Sequence, residues 1–517
     1  MNSRIAEAFA LLPQYLSQHI LLSLAALVLG GLISIPLAAA ALRFPRLRGG
    51  LLAVASVIQT IPGLAMLALF YPVLLAVSEL TQDSFGFSVP ALGFLPSVAA
   101  LTLYAILPIL RNTVTGLTGI DPTITEAAQG VGMTRRQQLL QVDLPLAAPV
   151  IMAGVRMAAV WTIGAATLAT PVGQTSLGNY IFSGLQTENW VFVLFGCAAA
   201  AILAILVDLL LALVEKATAL RDKRRLFAGI AGLVALIGIS LVPLARSQTS
   251  AYVIGAKNFS EQFILAELIA ARLRQAGATV TIKEGLGSAV AFRALANSEL
   301  DAYVDYTGTL WTNAMGRSDM PPRDQMLSEL TRWTKAEYGV TLLGRLGFEN
   351  AYVLAMRQQR ASELGISRID DLARRAGELS LGSDIEFLDR PEWAALKQSY
   401  GLQFRQQFSY NPTFMYRALA DGTVDVISAY SSDGRIAADD LTVLEDPHHA
   451  VPNYDAVVLM APKRADDPVL RRALQPLIGA LSVEKMRAAN YEVDKEVGKM
   501  SPAQAAAGLA KSIGLSP

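Results

Sequence analysis

The stretch Glu126–Pro145, EAAQGVGMTRRQQLLQVDLP, is a polar segment with a basic pair, Arg135 and Arg136, inside an otherwise apolar N-terminal half. Hydrophobic runs flank it on both sides, so both of its ends are tied to a membrane. Which face of the membrane it occupies orders the rest of the chain. Just upstream, Asp121-Pro122 can start a helix, with Pro at the first helical position and Asp near the positive end of the dipole. A second short helix is expected after Gly132, ending before Pro145. Small residues at the bend (Ala127, Ala128, Gly130, Gly132) would let another surface approach closely.

Working outward, 517 residues are too many for one compact domain. Lys+Arg and Asp+Glu are both 43, so the charge balance gives no argument for nucleic acid as a partner. The apolar fraction of 53% is unevenly spread. Residues 1–248 are rich in Leu, Ala and Val, whereas charges recur regularly from Lys257 onward. A membrane half followed by a water-soluble half is the expectation. The single cysteine, Cys197, excludes a disulfide framework or a thiolate metal site within one chain. The histidines are His19, His448 and His449, and two adjacent His make a poor metal site, so no metal or cofactor is expected. Met1–Gln18 lacks a basic region followed by a compact apolar core and a small-residue cleavage site, so no cleavable signal peptide is expected.

A membrane crossing takes about 20 apolar residues. Spans are expected near Ile20–Leu42, Leu51–Val77, Leu95–Leu110, Pro149–Pro171, Val191–Val214 and Phe227–Leu244, the third being the shortest. Lys and Arg in short loops set orientation. The loop after the first span holds Arg43, Arg46 and Arg48; Glu126–Pro145 holds Arg135 and Arg136; the loop after the fifth holds Lys216, Arg221, Lys223, Arg224 and Arg225. The alternate loops, Ser78–Phe94 and Val172–Trp190, carry Glu79, Asp83 and Glu188 and no Lys or Arg. The basic loops are therefore expected in the cytoplasm, with everything after Arg246 on the opposite, extracytoplasmic face. Within the second span, Gln59-Thr60-Ile61-Pro62-Gly63 places polar residues beside helix breakers, as does Pro108 in the third. Such breaks line a cavity or a protein contact, which makes Gln59, Thr60 and Pro62 pathway candidates. An ordinary proline kink between buried helices is the alternative.

The pattern EAA-xxx-G-x9-V-x-LP, carried by Glu126, Ala127, Ala128, Gly132, Leu144 and Pro145, resembles the cytoplasmic coupling loop of binding-protein-dependent ABC permeases. The resemblance extends over Ile20–Val214, and QTIPGLA at Gln59–Ala65 is typical of the osmoprotectant-uptake branch. It implies an ATPase on a separate chain docking on this loop, and permeases working in pairs, here as a homodimer. The chain has no GxxxxGK[ST] phosphate loop, so ATP binding and hydrolysis are expected on the partner and no enzymatic activity on this chain.

Beyond the linker Gln248–Ser250, strand-like and helix-like runs alternate: Tyr252–Ala256, Ser260–Ala276, Thr279–Glu284, Ser288–Asn297 and Ala302–Tyr306. Such alternation predicts βαβ units and a parallel sheet. The apolar runs Tyr352–Met356 and Ala456–Met460 bracket about 100 residues, enough for a second small α/β lobe. Two lobes joined by two crossing strands follow, lobe one holding 251–352 and 458–517 and lobe two 355–455, with a ligand cleft between them. The stretches GAKNFSEQFILAELIA (Gly255–Ala270), DAYVDYTGTLW (Asp301–Trp311) and LADGTVDVISAYSSDGRI (Leu419–Ile436) resemble the extracytoplasmic binding proteins for glycine betaine, choline and related quaternary amines. Asp305 stands where that family usually carries Glu.

A trimethylammonium group has no hydrogen-bond donor and a diffuse positive charge, so aromatic faces suit it, and a carboxylate calls for Arg or Lys with hydroxyl donors. The resemblance implies a cage of Tyr306, Tyr352, Tyr430 and Tyr454, with Lys257, Thr309 and Arg390 at the carboxylate and Phe387 and Tyr416 as reserve aromatics. Other roles stand beside these: Tyr352 and Tyr454 as core tyrosines, Arg390 as a partner of Asp384, Glu386 or Asp389, Lys257 as a solvated side chain. The fold class expected is a membrane all-α permease of about six transmembrane helices, similar to type I ABC importers, fused to a two-lobed α/β domain like periplasmic binding proteins. Its boundaries would be 1–220 for the permease with coupling loop 121–147, 221–250 for the sixth span and linker, and 251–517 for the binding domain. The function implied is import of a glycine betaine-like osmoprotectant across the bacterial inner membrane, with choline, carnitine and ergothioneine as alternatives. A membrane-anchored sensor without transport is a second class, although six spans and a coupling motif exceed what an anchor needs.

Overall fold

A computed structural model describes residues 2–85, 89–187, 189–220, 222–246, 252–317, 319, 321–384, 386–495 and 498–515. The linker expected at Gln248–Ser250 lies outside them, as do Arg221 and Glu188. Two compact units divide the chain, Met1–Phe182 with Val191–Gln248, and Ser183–Trp190 with Thr249–Pro517.

The first unit is helical: α1 (Asn2–Arg43), α2 (Pro45–Thr60), α3 (Gly63–Phe85), α4 (Phe94–Thr118), α5 (Pro122–Gly130), α6 (Arg135–Gln138), α7 (Leu144–Ala166), α8 (Gly178–Gln186), α9 (Trp190–Leu220) and α10 (Lys223–Arg246). By length and composition, five of the described helices can each cross a membrane, and the bent pair α2 and α3 is a sixth, broken span or a re-entrant loop. The continuous second span expected over Leu51–Val77 is thus corrected: the chain bends by 103° between Thr60 and Gly63. Pro62 cannot donate a backbone hydrogen bond, and the carbonyl of Ile61 at the break accepts instead from the Tyr104 hydroxyl of α4. The third span is longer than expected, since α4 runs for 25 residues and carries Pro108 without breaking.

Arg156 of α7 donates to Asp208 of α9 at 2.8 and 3.0 Å and to Glu215 at 2.7 Å. These groups stand 52 and 59 residues apart, so no local pattern in the sequence announces the cluster. An ion cluster within apolar helices is retained only when its charges are paired, and here it ties α9 to α7.

The polar loop forms as two helices. Asp121 caps α5, accepting from the Thr123 amide at 2.9 Å, and Pro122 takes the first position. Gly132 turns the chain at φ +79°, which a side chain would strain. Thr134 and Gln137 form a reciprocal capping box that starts α6. The expected stop before Pro145 is corrected: a π-helical turn, Leu139–Asp143, carries α6 directly into α7. The Leu144 amide reaches back to the Leu139 carbonyl, so Pro145 falls in the first turn of α7, where a missing N–H costs little.

The second unit has two five-stranded sheets. The first is ordered β2 (Val280–Leu286), β1 (Tyr252–Lys257), β3 (Ala302–Tyr306), β10 (Asp455–Met460), β4 (Thr341–Glu349). The second is ordered β7 (Gln406–Tyr410), β6 (Ser380–Asp384), β8 (Val426–Tyr430), β5 (Tyr352–Arg357), β9 (Leu441–Val443). Helices α11 (Ser260–Gln275) and α12 (Ser288–Ala296) cross over between the first three strands. The parallel βαβ arrangement expected over Tyr252–Tyr306 forms, with β1 parallel to β2 and β3, and the sheet is completed by β10, antiparallel to both β3 and β4. The chain leaves for the second sheet after β4 and re-enters as β10, running the other way. The two crossings are Glu349–Tyr352 and Val443–Asp455, and Tyr352, expected at the end of lobe one, begins β5 of the second sheet.

Candidate ligand-binding site

Ligands of open α/β sheets meet the carboxyl ends of the parallel strands. Lys257 closes β1 and Tyr306 closes β3, so both reach the same edge of the first sheet. Thr309 follows in the one-turn helix α13 (Thr307–Thr309). Tyr454 directly precedes β10, and its ring packs on Gly308. A β-carbon at that glycine would lie 2.7 Å from the ring, so only glycine permits the approach. From the second sheet, Tyr352 and Tyr430 are direct cross-strand partners on β5 and β8, which sends both rings to one face. Arg390 stands at the N-terminus of the helix Pro391–Tyr400, after a short turn that brings it back toward the crossings.

All seven of these side chains line one cavity of about 280 Å³, just under the roughly 300 Å³ at which drug-sized sites begin and of a size for a small solute. Its other walls include Asn258, Phe259, Asn350, Asp384, Glu386 and Asn411. Phe259 completes a chain of rings. It stacks on Tyr306 at 6.2 Å and on Tyr430 at 6.3 Å. Tyr430 meets Tyr352 at 5.0 Å, and Tyr352 meets Tyr454 edge-on at 6.2 Å. Four tyrosines and a phenylalanine therefore surround the space, apolar on their faces and negative in quadrupole. Phe387 and Tyr416 do not join them. Phe387 is fully buried between Tyr352 and Trp393, at 5.0 and 5.5 Å. Tyr416 is buried in the second lobe beneath the guanidinium of Arg435, 3.9 Å from its ring.

Both cations of the site have carboxylate partners. Lys257 pairs with Asp305, and its ammonium stands 5.1 Å from the Tyr306 ring centre. Arg390 donates through Nε and Nη2 to the two oxygens of Glu392, each at 3.1 Å, and lies 5.1 Å from the Tyr352 ring centre. The alternative role for Arg390 was a pairing with Asp384, Glu386 or Asp389. Glu386 is reached only at 3.6 Å, and the main partner is Glu392, two residues on. Lys257 is not solvated, being 3% exposed.

The tyrosine hydroxyls are also engaged. Tyr306 donates to Glu261 at 2.5 Å and accepts from Gln262 at 2.9 Å. Tyr430 donates to Asp384 at 3.0 Å, and Tyr454 donates to Glu392. Asp384 is held by the amides of Glu386 and Phe387 at 2.9 and 3.0 Å. Burial first, and then the Glu261 carboxylate, push the Tyr306 phenol well above its ordinary range; burial, Tyr352 and Asp384 do the same for Tyr430. These phenols remain donors at any physiological pH. Burial raises the Asp384 and Glu261 carboxyls against the hydrogen bonds that lower them.

In the membrane unit, the six residues of the EAA-xxx-G-x9-V-x-LP pattern fall on two sides. Glu126, Ala127, Gly132 and Pro145 are exposed, with open space around Gly130 and Gly132. Ala128 is 6% exposed and points inward, and Leu144 packs with Leu117, Ala147 and Ile151. Of the four small residues expected at the bend, Ala127, Gly130 and Gly132 are exposed and Ala128 is not. Gln59 is half-buried, and Thr60 and Pro62 are exposed at the helix break.

Comparison with known proteins agrees with this architecture. Residues 250–511 match the substrate binding domain of ABC-type glycine betaine transport systems, and residues 30–220 match the binding-protein-dependent transport system inner membrane component. The ergothioneine transport permease/ergothioneine binding protein EgtU of Helicobacter pylori is 27% identical over 485 residues, 90% of this chain and 84% of that protein. The choline transport system permease protein OpuBB of Bacillus subtilis is 40% identical over 199 residues, covering 38% of this chain and 84% of that one. A crystal structure of a glycine betaine/carnitine/choline ABC transporter protein, 27% identical, covers 50% of this chain and 98% of its own, with a TM-score of 0.45. The chain belongs to the family of fused permease and substrate-binding subunits of osmoprotectant ABC importers.

Proposed function

We propose that the C-terminal domain captures a trimethylammonium betaine of the glycine betaine type on the extracytoplasmic face of the bacterial inner membrane and delivers it to the permease unit of its own chain. The single observation that carries this reading is the convergence of Tyr306, Tyr352, Tyr430 and Tyr454 with Lys257, Thr309 and Arg390 on one cavity. Aromatic faces take the ammonium, each contributing roughly 0.5–2 kcal/mol, and the two cations with the Thr309 hydroxyl take the carboxylate. The cavity lies between two lobes joined by two crossings, the arrangement that closes by hinge motion. ATPase subunits on separate chains dock on the exposed face around Glu126, Ala127 and Gly132 and drive a permease homodimer. Thr60 and Pro62, at the break between α2 and α3, line the route between the two copies.

A second reading, a ligand without a carboxylate such as choline, is favoured by one specific observation: Lys257 and Arg390 each already hold a carboxylate, Asp305 and Glu392. Carnitine and ergothioneine, both trimethylated and zwitterionic, belong with the first reading. Calorimetric titration of the full-length chain separates these cases. Glycine betaine binding more tightly than choline is expected, and choline binding equally well or better selects the second reading. Uptake of labelled ligand that requires a co-expressed ATPase distinguishes an importer from a sensor, which would bind without transport.

A further inference from the structure

Three of the four cage tyrosines share a feature that the cavity alone does not explain. Their hydroxyls donate to three separate buried carboxylates, each contributed by a different element. Tyr306 donates to Glu261 in the first turn of α11 at 2.5 Å. Tyr430 donates to Asp384 at the end of β6 at 3.0 Å. Tyr454 donates to Glu392 in the first turn of the helix Pro391–Tyr400. The fourth, Tyr352, has its hydroxyl 3.4 Å from that of Tyr430 and so adjoins the Asp384 bond. Glu261, Asp384 and Glu392 are 3%, 4% and 1% exposed. Taking a carboxylate out of water costs several kcal/mol, and a phenol could be satisfied far more cheaply by water or an amide.

From this arrangement we infer that Glu261, Asp384 and Glu392 are positioning residues that charge the cage for a cation. A phenol donating to an anion gains electron density on its ring, which deepens the negative potential over the π faces. The hydroxyl lies in the ring plane, so the carboxylate acts from the edge and leaves the faces free. In a low-dielectric cleft the three anions also attract a monovalent cation directly. The device discriminates by charge: it strengthens binding of a quaternary ammonium and does nothing for a neutral group of the same shape. Asp384 is bonded by two amides and Tyr430, and Glu261 by Tyr306 and the side-chain amides of Asn350 and Asn490, so neither charge is offset by a hydrogen-bonded cation. Glu392 is partly offset by Arg390.

The inference rests on the proposed capture of a trimethylammonium ligand, and the test separates the two. Affinities of the full-length chain are measured for choline and for 3,3-dimethylbutan-1-ol, in which a carbon replaces the charged nitrogen, and likewise for glycine betaine and 3,3-dimethylbutanoate. Glu261→Gln and Asp384→Asn keep shape and a carbonyl acceptor but remove the charge. Each is expected to lower the preference for the ammonium over its neutral isostere about threefold to tenfold. Tyr306→Phe, Tyr430→Phe and Tyr454→Phe keep the ring, detach the carboxylate, and are expected to lower the same preference. This second series keeps the question answerable if an amide variant does not fold. Variants that weaken ammonium and isostere equally, or leave the preference unchanged, overturn the inference. A wild-type chain that binds neither ammonium overturns the functional reading beneath it.

Discussion

The Tyr306 hydroxyl meets Glu261 at 2.5 Å, and the same carboxylate receives the side-chain amides of Asn350 at 3.1 Å and Asn490 at 3.0 Å. Asn350 lies on the first crossing between the sheets, and its backbone amide donates to the Tyr454 carbonyl beside the second at 2.9 Å. Asn490 also donates to the Ser432 carbonyl at 2.9 Å, after β8 of the second sheet. One buried carboxylate thus joins a cage ring to both crossings and both lobes.

Glu261→Ala strands a phenol and two amide donors in a dry site, at about 1–3 kcal/mol each. A loss of about 3–9 kcal/mol is expected, read as a lower melting temperature for the transition of the binding domain. Glu261→Gln, which retains an acceptor, is expected to lose less than half as much.

Arg390→Ala leaves Glu392 buried without its bidentate partner. Breaking such a pair costs about 3–5 kcal/mol. Arg390→Lys is expected to recover little of it, because an ammonium cannot reproduce the forked contact at 3.1 Å through both Nε and Nη2. Melting temperatures of the two variants against wild type check this.

Asp494 gives the binding domain a pH signature. Burial pushes its carboxyl up to about 6 from an ordinary value of 3.8, against the opposing pull of Arg435. The folded state therefore holds its proton more tightly than the unfolded chain. The stability this confers is complete below about pH 4 and is lost as pH rises through 6. Asp494→Asn, which retains an acceptor for the Ser260 hydroxyl, is expected to flatten that part of the stability–pH curve and to gain relative to wild type above pH 6. Denaturant unfolding between pH 4 and 7 checks the sign.

Tyr104→Phe removes the donor to the Ile61 carbonyl at the break between α2 and α3. An unsatisfied carbonyl there costs about 1–3 kcal/mol. A lower melting temperature of the membrane unit is expected, with ligand affinity of the outer domain unchanged.

Much of the plan was legible in the sequence, for different reasons in different places. The polar loop could be read because capping chemistry is local: Asp121-Pro122 and the turn at Gly132 need only their neighbours. The π-helical turn before Leu144 could not, because its cause is the packing of Leu139 and Leu144 against Leu117 and Ile151. The seven cavity residues came through family resemblance, whereas Phe259 escaped although it sits two positions after Lys257 at a strand end, where an aromatic is worth suspecting. Glu261 and Glu392 were hidden by their position. An acidic residue in the first turn of a helix has a sufficient local explanation in the dipole, and only the fold shows the tyrosines behind which they stand. Pairing of Lys257 with Asp305 follows from β1 lying beside β3, 48 residues away. The antiparallel β10 and the cluster of Arg156, Asp208 and Glu215 are likewise products of topology.

Glu126 tests the proposed docking of an ATPase. It is exposed on α5 and makes no buried contact, so Glu126→Lys is expected to leave folding and ligand affinity unchanged and to reduce ATPase-dependent uptake by at least tenfold. Parallel measurement of binding and uptake on one preparation checks the separation.

The most direct test of the central claim is calorimetric titration of the full-length chain with glycine betaine, choline and ergothioneine, alongside Tyr430→Ala. The account predicts saturable binding of at least one of them and a loss of about tenfold or more in the variant, whose fold is monitored by its melting transition. Binding of none of the three, or undiminished affinity in a folded Tyr430→Ala chain, would contradict it.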